Sequence, residues 1–118
     1  DVDGVIFLHD IPVSIIDTLN KTVVGNIVVY DMKTVTPFYD YTIVASCNTA
    51  RQGHATVDYL RDLVKDGFNV RGYSAMPDAL WYLVDLGMVV VHVFVGEERK
   101  RYNLDGLYYG LDKLVLED

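Results

Sequence analysis

The side chains with chemistry to offer in this 118-residue chain are few and scattered. The three histidines, His9, His54 and His92, stand far apart, and none falls in an HExxH or other metal-ligand spacing. Cys47 is the single thiol, so neither an intrachain disulfide nor a multi-cysteine metal site can form. It lies in an apolar run and reads as an inert core thiol. No serine occupies a G-x-S-x-G elbow, and no glycine-rich phosphate loop or dinucleotide fingerprint occurs. Asp85 and Asp112 have no carboxylate partner nearby in sequence. Arg51, where a long helix begins, could hold an anion or simply face solvent. A nucleotide-transferring site would need acids spaced along a strand to hold a divalent metal; only Asp1-x-Asp3 has that spacing, and no strand precedes it. The expectation is a protein that is not an enzyme and has no cofactor, metal site or catalytic residue. What rises above background is a potential contact surface centred on Trp81 and Asp85.

Those two residues sit in the stretch 81 to 94, WYLVDLGMVVVHVF, around which the chain is organised. Two runs rich in aromatic and β-branched residues flank Gly87, which can take a positive φ without penalty, so the stretch reads as a hairpin. A two-residue loop at Leu86-Gly87 would set Asp85 opposite Met88, Val84 opposite Val89, Leu83 opposite Val90 and Trp81 opposite His92. Opposed residues share a face. One face is then Leu80, Tyr82, Val84, Val89, Val91 and Val93, with no charge, and is expected to be core. The other carries Trp81, Leu83, Asp85, Met88, Val90, His92 and Phe94. An isolated buried carboxylate costs several kcal/mol, so Asp85 is expected near solvent, paired, or available to a partner. Trp is enriched at binding hot spots, although a tryptophan packed under a helix would give the same pattern.

Composition narrows the partner. With 51% hydrophobic residues the chain can form one core. A net charge of −7 repels phosphate backbones and argues against direct sequence-specific nucleic-acid binding. The basic cluster Arg99-Lys100-Arg101 follows directly on Glu97-Glu98. A basic protein partner fits the charge better. No apolar run reaches the roughly 18 residues of a membrane span, and the start lacks the layout of a signal peptide. The cytoplasm is the expected compartment, or an organelle after loss of a presequence.

In chain order, residues 1 to 11 are unassigned. Asp1-Val2-Asp3-Gly4-Val5 echoes the nucleophile motif of haloacid-dehalogenase-like phosphatases, but that motif must end a buried strand; a frayed segment reads as well. Residues 12 to 118 form the domain. Ile15, Ile16 and Leu19 recur at helical spacing over 13 to 22. Strands are expected over 26 to 32 and 40 to 47, with a loop at 33 to 39. Asn48 or Thr49 can cap a helix running to about Asp66, with Val57, Leu60, Leu63 and Val64 as its apolar stripe and Gly67 ending it. Gly53 inside that helix is either tolerated weakness or the sign of a close neighbour. A short strand at 69 to 73, a loop at 74 to 79 and the hairpin follow. A final helix is expected over 97 to 109, with Tyr102, Leu104, Leu107 and Tyr108 as contacts, then a last apolar contact at Leu114 to Leu116. The sum is one α/β domain, a mixed five-stranded sheet with flanking helices.

The hairpin, Trp81 to Gly87 and then Val89 to Phe94, resembles the signature of the Iojap or ribosomal silencing factor family. Asp40 to Ser46 with Arg51-Gln52 resembles the family's second strand and long-helix start, and Glu98-Arg99, Tyr102 and Leu104 resemble its closing motif. The likeness runs in order from about residue 27 to residue 109. It departs at Met88, where the family usually has an acid, and at residues 1 to 11. The resemblance implies a nucleotidyltransferase-like fold without that fold's catalytic acids. It implies binding to the L-fourteen protein of the large ribosomal subunit, a block on subunit joining, and repression of translation under nutrient stress. The contact residues it implies are Trp81, Leu83, Asp85, Met88, Arg99 and Tyr102. A homodimer is left open. The competing readings are a nucleotidyltransferase-type enzyme, by fold analogy alone, and a large-subunit assembly factor in an organelle.

Overall fold

The computed structural model describes residues 12–74 and 79–116. His9, the phosphatase-like echo at residues 1 to 5 and most of the loop before the hairpin lie outside the described residues. The elements in order are α1 (Val13–Lys21), β1 (Gly25–Asp31), β2 (Tyr41–Cys47), α2 (Ala50–Arg61), β3 (Gly72–Tyr73), β4 (Trp81–Asp85), β5 (Val89–Val95), α3 (Glu98–Tyr102), α4 (Leu104–Leu107) and β6 (Lys113–Val115).

The strands form one mixed sheet in the order β3-β4-β5-β2-β1-β6. The central pair β2 and β5 is parallel, with Ile43 beside Val91, and every other pair is antiparallel. The sheet therefore has six strands where the sequence suggested five. The additional strand is the Leu114 region, which pairs with the edge of β1 through Val29 and Leu114. Three residues are too few for a period-2 pattern to register, so the segment reads in sequence only as an apolar contact.

Helices α1 and α2 cover one face of the sheet. Ile15, Ile16 and Leu19 from α1, and Val57 and Leu60 from α2, are buried against Tyr41, Ile43, Tyr82, Val84, Val91 and Val93. The start of α2 is fixed by a capping box: the Thr49 hydroxyl accepts from Gln52 N–H, and the Gln52 side chain accepts from the Thr49 N–H. After Arg61 the helix tightens into a 3₁₀ turn over Asp62–Asp66, and Gly67 ends it at φ +92°. That tightening keeps Leu63 inside but turns Val64 out to solvent, against the expected apolar stripe.

The hairpin faces fall as expected, but its register does not. Trp81 pairs with Phe94, Leu83 with His92, Val84 with Val91 and Asp85 with Val90. The Leu86 N–H donates to the Val89 carbonyl, so the two turn residues are Gly87 and Met88, one position later than Leu86-Gly87. Gly87, at φ +88°, then occupies the first central position, where a II′-type turn needs glycine. Asp85 also favours this turn, since its carboxylate accepts from the Gly87 N–H at 2.9 Å. The slip is one residue on each side, so face membership is unchanged. Leu80 is the exception: it lies just outside β4 and is exposed rather than core.

The second face is covered unevenly. Over β1 and β2, Tyr30, Met32 and Val44 are buried beneath Tyr39, Leu104, Tyr108 and Leu111. The single final helix expected over 97 to 109 is instead α3 and α4, broken at Asn103, whose φ of +54° is left-handed. The break rolls Leu107 into solvent while Leu104 and Tyr108 stay against the sheet. Toward β4 this cover thins, and Trp81, Leu83 and Asp85 are each only partly buried.

Candidate partner-binding face

Strand geometry places Trp81, Leu83 and Asp85 at alternate positions of β4, so their side chains stand in one row on the thinly covered face. Trp81 is held by three aromatic neighbours. Its ring stacks on Phe94 at 5.2 Å between centroids and 25°, and meets Tyr102 at 4.4 Å and His92 at 5.7 Å. The indole N–H donates to His92 Nδ1 at 3.0 Å. His92 is only 8% exposed, and burial pushes its pKa down to about 4, so at neutral pH the imidazole is uncharged. His92 is thus a hydrogen-bonded strand histidine and not a free ligand.

Tyr102 comes from α3 and keeps 48% of its surface in solvent while packing on Trp81. Met88 stands at the tip of the hairpin, 59% exposed. It borders an open groove of about 590 Å³ that also takes in Phe38 and Phe68, and Phe38 is exposed as well.

Arg99 is placed differently. Its guanidinium donates twice to Asp105, through Nε at 2.9 Å and Nη2 at 3.2 Å, and through Nη1 to the Ser46 hydroxyl and the Asn26 carbonyl. The Tyr30 hydroxyl completes the arrangement by donating to Asp105 at 2.6 Å. The Arg99 hydrogen bonds hold the Asp105 carboxyl below the usual carboxylate range, whereas burial and the neighbouring carboxylate raise the Tyr30 phenol. Arg99 therefore anchors α3 and α4 to the sheet, and so seats Tyr102 over Trp81. The arginine was legible in the sequence, but its partners were not: Asp105 lies six residues on, beyond a helix break, and Asn26 is more than seventy residues away.

The same clamp lies at the place where α/β sheets usually act on ligands, the carboxyl ends of parallel strands. An open cleft of about 440 Å³ lies there, lined by Ser46, Gly96, Arg99 and Asp105 among others. Its most buried cation is already matched by its own carboxylate. Among the described residues no group of three His, Cys, Asp or Glu is placed to hold a metal ion. Cys47 is buried, and burial raises its thiol pKa, which keeps it protonated. Arg51 lies exposed on α2.

Comparison with known proteins defines the class. Residues 10–118 match the family model for "Ribosomal silencing factor during starvation", which describes regulators of translation rather than known enzymes. The chain belongs to the ribosomal silencing factor family, RsfS. It is 36% identical over 84 residues to the ribosomal silencing factor RsfS of Bacillus subtilis, covering 70% of this chain and 71% of that one. It is 30% identical over 95 residues to that of Haemophilus influenzae, covering 80% and 93%. A crystal structure of a Chromobacterium violaceum protein superposes with a TM-score of 0.78 at 27% identity, over 89% of this chain and 88% of that one.

Proposed function

We propose that this chain silences ribosomes by occupying the L-fourteen protein of the large subunit, so that the small subunit cannot join. It would act in the cytoplasm, as a bound protein that blocks a surface and not as a catalyst. The contact face is Trp81, Leu83 and Asp85, extended by Met88 and Tyr102, with Arg99 holding α3 in place beneath it.

The observation that carries this reading is the row on β4: a tightly packed, partly exposed tryptophan, an aliphatic residue and a carboxylate on the part of the sheet where, among the described residues, helical cover is thinnest. Alternate strand residues stand about 7 Å apart, so the row spans about 13 to 14 Å. That suits a hot-spot cluster within an interface of about 800 Å² per partner. The net charge of −7 favours approach to a basic surface. Met88, in place of an acid at the hairpin tip, shifts that corner from charge pairing to apolar contact, and the exposed Phe38 on the same groove gives it a companion.

Co-sedimentation with purified large subunits, and separately with isolated L-fourteen protein, tests the proposal. The chain is expected to pellet with large subunits, to bind L-fourteen alone, and to reduce the fraction of joined ribosomes in a gradient. Pelleting with small subunits only, or no effect on joining at saturation, would refute it.

A further inference from the structure

We propose that His92 is a positioning residue for Trp81: its Nδ1 accepts the indole N–H and fixes the orientation in which that ring is offered to a partner. The inference rests on the reading of Trp81 as a contact residue.

An indole nitrogen only donates, so the Nδ1 that receives it must be unprotonated, and the proton of the neutral imidazole then sits on Nε2. A partly exposed tryptophan ordinarily satisfies its N–H with water, which leaves the ring free to turn. Here the acceptor is instead a buried side chain on the neighbouring strand. The two residues are diagonal neighbours, because Trp81 pairs with Phe94 and His92 with Leu83. The indole also meets two rings, stacked on Phe94 at 5.2 Å and tilted against Tyr102 at 4.4 Å. Ring contacts of this kind tolerate sliding and rotation, whereas a 3.0 Å hydrogen bond does not. An aliphatic residue at position 92 would fill the same space without the cost of burying an imidazole. The hydrogen bond to Trp81 is what the imidazole adds.

Trp81 is the single tryptophan, so its fluorescence reports on this ring alone. His92→Phe keeps a ring and removes the acceptor; His92→Asn keeps an acceptor near the Nδ1 position. With His92→Phe, Trp81 emission is expected to shift to the red and acrylamide quenching to rise. Affinity for large subunits should fall between about threefold and about tenfold, the range for loss of one hydrogen bond. His92→Asn is expected to recover both. A folded His92→Phe variant with unchanged emission and quenching would overturn the proposal, as would one with altered emission and parental affinity. If the parent itself does not bind large subunits, the docking reading fails, and the fluorescence pair alone decides whether His92 orients the ring. Should His92→Phe not fold, the indole N–H resonance of the parent decides: slow solvent exchange supports the assignment, and rapid exchange overturns it.

Discussion

Gly53 of α2 lies flat against the ring of Tyr82 on β4: a Cβ at position 53 would fall 2.6 Å from two of the ring carbons. Tyr82 is fully buried, so its ring has no free space to move into. Glycine within a helix normally costs about 1 kcal/mol relative to alanine. Here close approach of helix and sheet outweighs propensity. Gly53→Ala is expected to lower stability by about 1 to 3 kcal/mol, the range for overpacking, read as a lower urea midpoint. A raised midpoint would mean that helix and strand are farther apart than described.

The Arg99–Asp105 pair makes a second prediction. With Arg99 at 16% and Asp105 at 32% side-chain exposure, the pair is neither fully buried nor a freely solvated surface bridge. Asp105→Ala leaves a guanidinium short of its carboxylate and the Tyr30 hydroxyl without its acceptor. A loss of about 1 to 3 kcal/mol is expected. Amide exchange should quicken in residues 98 to 107 before it does in β2 or β5. Uniform exchange across the domain would contradict the anchoring role.

His92 should make stability fall in mild acid. Its folded pKa of about 4 lies below the ordinary value of 6.5, so between these the unfolded chain binds the proton and the folded one does not. Stability is therefore full above about pH 6.5 and declines as pH falls toward 4, by at most about 3 kcal/mol. Asp105, whose carboxyl is held low, adds its own loss only at lower pH, as the carboxylate is protonated. Urea unfolding at pH 7 and pH 5 should show the drop in the parent and a smaller one in folded His92→Asn. Equal drops would place the titration elsewhere.

The face assignments of the hairpin were legible because side-chain direction has a strict period of two, which a slip of one residue on each strand preserves. The turn itself was misplaced because both Leu86-Gly87 and Gly87-Met88 put glycine at a central position, and the Asp85 carboxylate on Gly87 N–H breaks the tie only in three dimensions. The long helix and its ends were readable from the cap candidates Asn48 and Thr49 and from Gly67, whose roles are local, whereas the part of Gln52 in the capping box and the tightening after Arg61 were not. The sixth strand and the break at Asn103 were not, since each depends on contacts across the fold. For the face, Trp81, Leu83 and Asp85 follow from alternation alone. The partnership of Trp81 with His92, and of Arg99 with Asp105, follows from strand register and from the path of α3 and α4, which no local pattern encodes.

The most direct test of the docking face is the affinity of Asp85→Lys and Trp81→Ala for large subunits, measured with the extent to which small subunits still join. Both variants must first melt cooperatively near the parent, because Trp81 also packs on Phe94 and Tyr102. Asp85→Lys is expected to weaken binding by about 2 to 5 kcal/mol if the carboxylate is desolvated against a basic residue. Trp81→Ala is expected to cost at least about 2 kcal/mol as an anchor, and joining should recover in both. Two folded variants that bind large subunits and block joining as the parent does would contradict the assignment of this face.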